Sequence, residues 1–220
     1  DNKDSYMSNN GYYQMVGHFA ICYDGVRPYV AMKCLDRDTN GKHHDYIFAF
    51  GYDWVNGKPT NFRHFYTWSR NDKTPWPAEF HGNRVADVDG DGIDELCPGA
   101  FAVNPWKDMV SSPGVGHGDR FTYTDIDPER PGMEAYGIQQ SDLLGQLIWD
   151  AATGERVKEW YLSSVFDVGR GVCCDVDSTR LGLENYSFVS DYIYDCHGKK
   201  TDVKRPYPQE PIWWDGDLMR

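Results

Sequence analysis

The stretch Asp87-Val88-Asp89-Gly90-Asp91-Gly92-Ile93-Asp94-Glu95 sets three carboxylates at alternate positions, puts a glycine after the third and closes on a carboxylate. That order suits a hard divalent cation. Asp87, Asp89 and Asp91 offer side-chain oxygens, Ile93 a backbone carbonyl, and Glu95 a carboxylate able to bind through both oxygens. Without a cation, so many like charges in one turn repel one another. The spacing is shorter than a full EF-hand and predicts a compact Ca2+ loop between two strands.

The pattern recurs. Asp125-Ile126-Asp127, Gly132 and Glu134 match Asp175-Val176-Asp177, Gly182 and Glu184 at the same offsets. Asp125, Asp127 and Glu134, and likewise Asp175, Asp177 and Glu184, are therefore expected Ca2+ ligands. A degenerate copy, Asp24-Gly25-Val26-Arg27-Pro28, has Cys22 and Ala31 where the outer carboxylates would stand, and no metal is expected there.

Groups able to move protons precede each Asp-x-Asp. They are His81 in Glu79-Phe80-His81-Gly82, His117 in His117-Gly118-Asp119-Arg120, and Arg170 in Asp167-Val168-Gly169-Arg170-Gly171. If each Asp-x-Asp ends the innermost strand of a repeat, two imidazoles, a carboxylate and guanidinium groups gather at one mouth. Imidazole exchanges a proton near neutral pH, and arginine grips a carboxylate through two parallel hydrogen bonds. A ligand or supporting role for either histidine beside a metal stays open, as does a surface role for Arg170. The remaining histidines and Trp213-Trp214 are read as solvated or core residues.

The elements that must position these groups are strands. Short apolar or alternating runs cover His18–Tyr23, Pro28–Cys34, Tyr46–Phe50 and Arg63–Trp68, and Asn56-Gly57 marks a hairpin between the last two. Further runs flank each acidic turn, whereas 104–116 reads as an irregular insertion. No segment keeps a helical period. Three or four strands per acidic turn give the period of a β-propeller blade, clearest over 120–161. The expected fold is all-β: about four blades over residues 17–220, part of a larger propeller, after a loose segment over 1–16. An unrelated β-sandwich with several calcium turns is the alternative.

Composition narrows the partners. The 34 acidic against 22 basic residues give a net charge of −12, which argues against nucleic acid and leaves bound cations to offset the excess. No apolar run reaches membrane-spanning length. The chain does not open on methionine, which predicts a removed leader. The six cysteines have no zinc-type spacing and read as buried small hydrophobes. Calcium loops favour a secreted, periplasmic or cell-surface setting.

Taken in order, Asp24-Gly25-Val26-Arg27-Pro28-Tyr29, Ala86 to Glu95, Gly116-His117-Gly118-Asp119-Arg120, Asp125 to Glu134, Asp150-Ala151-Ala152-Thr153-Gly154-Glu155, Asp167 to Gly171 and Trp213-Trp214-Asp215-Gly216-Asp217-Leu218 resemble the middle of the rhamnogalacturonan lyases of polysaccharide lyase family 11. The resemblance implies an eight-bladed, calcium-rich propeller, longer than this chain, that cleaves a pectin backbone by β-elimination. It implies that Arg170 is an active-site arginine and that His81 and His117 are cleft histidines suited to a metal ion. The expected substrate is an acidic polysaccharide. A related propeller lyase for another rhamnose–uronate linkage fits the same residues. The rival reading is a non-catalytic, calcium-stabilised propeller that binds glycan or protein.

Overall fold

The structure, a computed structural model, describes residues 16–37, 43–69, 79–104, 106–209 and 211. The expectations for residues 1–15 and for Trp213-Trp214 lie outside them. No helix occurs among the described residues.

Sixteen strands form four antiparallel sheets, each a meander taken in chain order. Sheet 1 holds β1 (Val16–Tyr23), β2 (Pro28–Arg37), β3 (His43–Val55) and β4 (Lys58–Ser69). Sheet 2 holds β5 (Glu79–Ala86), β6 (Glu95–Gly99), β7 (Phe101–Asn104) and β8 (Asp108–Ser111). Sheet 3 holds β9 (Phe121–Thr124), β10 (Glu134–Ile138), β11 (Leu144–Asp150) and β12 (Arg156–Tyr161). Sheet 4 holds β13 (Gly171–Cys174), β14 (Glu184–Ser187), β15 (Tyr192–Tyr194) and β16 (Lys200–Lys204).

The four acidic turns occupy one structural position. Each joins the first strand of its sheet to the second. The repeat seen in the sequence is thus a repeat of hairpins. Asn56 and Gly57 both take positive φ, 52° and 73°, as the tight β3–β4 turn demands. Two expectations change. Residues 104–116 are not wholly irregular, because β8 lies there as the fourth strand of sheet 2. The single run expected after the first acidic turn, Glu95–Val103, is instead two strands that turn back at Ala100.

Side chains alternate across each sheet, so one sheet feeds two interfaces. Leu96, Phe101 and Val103 pack on Cys22, Tyr29, Ala31 and Ala49 of sheet 1. From the same strands, Cys97 and Ala102 pack with Phe121, Tyr123, Leu147 and Trp149 of sheet 3. Tyr136, Ile138 and Ile148 then meet Cys173 and Cys196 of sheet 4. Strands packed on both faces show no exposed alternation, and β6 and β10 are buried at every position. The first strands also abut: β1 lies against β5, β5 against β9 and β9 against β13. Of the fourth strands, β12 and β16 face solvent. The outer face of β1 is different. Phe19, Ile21 and Tyr23 stand 74, 64 and 52% exposed in one row.

Candidate active site and acidic turns

The proton-moving groups enter at the starts of first strands. His81 lies near the start of β5, His117 and Asp119 just before β9, and Arg170 immediately before β13. A parallel bridge between Phe80 and Gly118 brings the first two segments side by side. The approach is so close that a Cβ on Gly118 would stand 1.9 Å from the Ile138 carbonyl oxygen and 2.6 Å from the Phe80 ring. Phe80 is fully buried beneath and meets Phe121 edge-on.

On that floor the His81 and His117 rings meet edge to face, centroids 5.0 Å apart. His81 Nε2 lies 3.2 Å from Asp119 Oδ1. One donor atom from each of His81, His117 and Asp119 falls within 4.8 Å of the others, so the three could share a divalent ion. The Asp119 carboxyl sits above the ordinary aspartate range. Burial raises it first and neighbouring Asp167 next, while the two histidines pull it down. Gln140 bridges the two segments: its N–H donates to the His117 carbonyl and its Nε2 to Asp167 Oδ2.

Arg170 reaches the same place from sheet 4. Gly169, at φ 64°, lets the Arg170 N–H donate back to the Val168 carbonyl and aims the side chain. The guanidinium donates to Gln209 Oε1 at 3.1 Å and lies over the Tyr207 ring. His81, Asp119, Asp167 and Arg170 line one open cleft of about 490 Å³, room for a sugar residue. The structure thus brings together the three groups that the sequence singled out. It adds Asp119, visible in the motif His117-Gly118-Asp119-Arg120, and Asp167, Gln140 and Gln209, which no local signal marks. It also adds Lys33. This lysine is buried, and its ammonium donates to the Phe80 carbonyl and reaches the Gly82 carbonyl at 3.4 Å, on either side of His81. Nothing in an alternating strand foretells a buried lysine.

The acidic turns share a latch. Glu95, Glu134 and Glu184, each at the start of a second strand, are buried and reach back to the turn's backbone. Glu95 Oε2 accepts from Val88 N, Glu134 Oε2 from Ile126 N and Asp127 N, and Glu184 Oε2 from Val176 N and Asp177 N. The second carboxylate oxygen distinguishes them. In the first turn Glu95 Oε1 accepts from Asn104 Nδ2 at 2.6 Å, so both oxygens already have donors. Asp87, Asp89 and Glu95 still hold donor atoms within 4.8 Å of one another. Asp91 turns to Lys107 instead, whose ammonium also reaches Asp89 Oδ2 at 2.9 Å. Ile93 lies in the turn and donates its N–H to Asp91 Oδ1.

In the second turn Glu134 Oε1 accepts from Arg130 Nε at 3.2 Å, and Asp125 stays exposed. In the third turn Arg180 pairs with Asp177, Asp175 is half-buried, and Glu184 Oε1 is buried with no hydrogen-bond partner. An orphaned carboxylate oxygen beside two aspartates fits a cation. A carboxylate closed by a guanidinium fits one less well.

The sequence model described as rhamnogalacturonan lyase family 11, C-terminal domain, matches residues 10–220. The chain is 38% identical over 143 residues to the rhamnogalacturonan endolyase YesW of Bacillus subtilis (strain 168), covering 64% of this chain and 22% of that protein. It is 36% identical over 150 residues to the rhamnogalacturonan exolyase YesX of the same organism, covering 64% of this chain and 24% of that protein. The crystal structure of rhamnogalacturonan lyase YesW superposes with a TM-score of 0.75 at 31% identity, covering 92% of this chain and 33% of that one. The chain thus spans about a quarter of the length of these curated relatives.

Proposed function

The chain belongs to rhamnogalacturonan lyase family 11, and on that premise we propose that it builds one side of a cleft that cuts a rhamnose- and uronate-containing pectin backbone by β-elimination. The observation that carries this reading is convergence. His81, Asp119 and Arg170 come from three successive sheets and line one cleft, with His117 packed against His81. Packed faces and abutting first strands support reading the four sheets as successive blades of a propeller, with a further sheet covering Phe19, Ile21 and Tyr23.

Elimination needs the uronate carboxylate neutralised, the C5 proton removed and the O4 leaving group released. Arg170 suits the first task, because a guanidinium held by Gln209 and backed by Tyr207 meets a carboxylate with little reorganisation. His81 suits the second. It lines the cleft, and Asp119 behind it stabilises the imidazolium that forms when it takes the C5 proton. His117 packs against the His81 ring and fixes its plane. A divalent ion held by His81, His117 and Asp119 would instead supply positive charge for the same carboxylate, and His81 would then be a ligand and not the base.

Calcium belongs to the acidic turns, best to the first, with Asp87, Asp89 and Glu95, and to the third, with Asp175, Asp177 and Glu184. These turns lie at the far ends of the first strands, roughly 15 Å from the cleft at about 3.3 Å per residue. Ca2+ there braces the hairpins and does not touch substrate. In the second turn Arg130 already neutralises Glu134. A polysaccharide substrate and calcium-braced turns would suit a secreted, periplasmic or cell-surface setting.

The test is to incubate the protein with rhamnogalacturonan, with and without chelator, and follow the ultraviolet absorbance of an unsaturated uronide. Arg170→Ala is expected to abolish that signal while the fold survives. Unchanged product formation by Arg170→Ala removes Arg170 from the chemistry. Glycan binding without any product turns the reading to a non-catalytic propeller.

A further inference from the structure

The second acidic turn departs from its siblings in one more respect. Asp127 Oδ1 accepts from Glu129 N within its own turn at 3.1 Å, as Asp177 Oδ1 does from Thr179 N, but it also faces the next sheet. Its Oδ1 lies 3.5 Å from His197 Nε2, on the turn between β15 and β16 of the next sheet. Cys196 Sγ completes a group in which one donor atom from each of Asp127, Cys196 and His197 lies within 4.8 Å of the others. We propose that these three residues form a site for a borderline divalent ion of the zinc class, one that clips sheet 3 to sheet 4.

The donor chemistry selects the ion. A thiolate and an imidazole beside one carboxylate suit Zn2+ or Co2+, whereas Ca2+ takes oxygen donors. Three protein donors leave a fourth position. Glu129 Oε2, 3.2 Å from the same His197 Nε2, is placed to fill it. The neighbouring depression of about 340 Å³, lined in part by His197 and Cys196, gives a water the same opportunity. When the ion binds, the Cys196 S–H bond breaks, its proton leaves to solvent, and a sulfur–metal bond takes its place.

The scaffold is set beforehand. Asp127 and Cys196 are buried, 8 and 5% exposed, so both are fixed before His197 closes from the surface. The turn carrying Cys196 and His197 is closed by Asp195 N to Lys199 O, by Gly198 N to Asp195 O, and by Lys199 N to Asp195 Oδ1. The second and third acidic turns are joined by Leu183 N donating to Ile126 O. Gly182 passes so near that a Cβ would stand 2.8 Å from the Cys196 Cβ. Three loops from two sheets therefore hold the donors in register. The sequence hid the site because Asp127 lies far in the chain from the adjacent Cys196 and His197, and the three follow no metal-binding spacing.

Cobalt titration of the metal-free protein tests the proposal. A sulfur-to-cobalt charge-transfer band is expected at one equivalent, in the presence of excess Ca2+. The imidazole and carboxylate donors of His81, His117 and Asp119 cannot produce it, so His81→Ala is expected to keep the band. Cys196→Ser is expected to lose it. His197→Ala, a change at an exposed residue, is expected to raise the titration midpoint by about tenfold or more. If Cys196→Ser fails to fold, His197→Ala decides alone. No band in the unsubstituted protein, a band that survives Cys196→Ser, or an unmoved midpoint in His197→Ala would overturn the site.

Discussion

Replacing Gly118 by alanine probes the floor of the cleft with a single methyl group. The added Cβ would stand 1.9 Å from the Ile138 carbonyl oxygen and within 2.6 to 2.7 Å of two Phe80 ring atoms. Ordinary carbon contact begins near 3.5 Å, so the two segments must separate by roughly 1.5 Å. The Ile138 carbonyl belongs to β10 and cannot rotate away, and Phe80 is fully buried. Overpacking of this kind costs about 1–3 kcal/mol, and a backbone partner puts Gly118→Ala at the upper end. For a chain of this size each kcal/mol shifts Tm by about 2–4 °C, so the expected fall is ~6–12 °C. Gly116→Ala is the control, since its Cβ would meet nothing nearer than 4.0 Å. The assay is thermal unfolding followed by circular dichroism. Equal melting of Gly118→Ala and Gly116→Ala would refute the close approach, and with it the geometry that brings His117 and Asp119 to His81.

Three further outcomes follow from named contacts. Lys107→Met removes the ammonium that occupies Asp89 and Asp91, so Ca2+ binding by the first turn should tighten, as calorimetry would show; weaker binding would make Lys107 a support of the site and not a competitor. Burial, aided by Asp89 and Asp91, pushes the Glu95 carboxyl up to about 7 from an ordinary 4.5, against the Val88 N–H and Asn104. The folded chain therefore holds that proton more tightly than the unfolded one. The stability this contributes is fully present below about pH 4.5 and is lost as pH rises through 7. Urea midpoints of the calcium-free protein should fall across that window, and Glu95→Gln should flatten the fall. Lys33→Met strips the donor from the Phe80 carbonyl, and leaving a buried carbonyl unsatisfied costs about 1–3 kcal/mol, readable in urea unfolding.

Much of the fold was legible because its signal is local. Acidic turns and glycines recur at fixed offsets, and each proved to be the first hairpin of a four-stranded sheet. The run from 120 to 161 matched β9 to β12 because tight turns bound every strand. β8 escaped because its four residues sit among Pro, Gly and Ser, and only pairing with β7 makes them a strand. His81, His117 and Arg170 stood out because they precede the repeats at similar offsets. Lys33, Gln140 and Gln209 did not, since their roles arise from neighbours distant in the chain. Hairpin patterns also could not tell a turn with an orphaned carboxylate oxygen from one closed by arginine. Asp-x-Asp and Glu serve the backbone latch in both cases, and the difference lies in where Arg130 and Arg180 point.

The most direct measurement is a crystal structure of the protein soaked with a rhamnogalacturonan oligosaccharide. A uronate carboxylate paired with Arg170, and its C5 hydrogen turned toward His81, is the expected result. A glycan bound away from this cleft, or seated with its carboxylate remote from Arg170, would contradict the account.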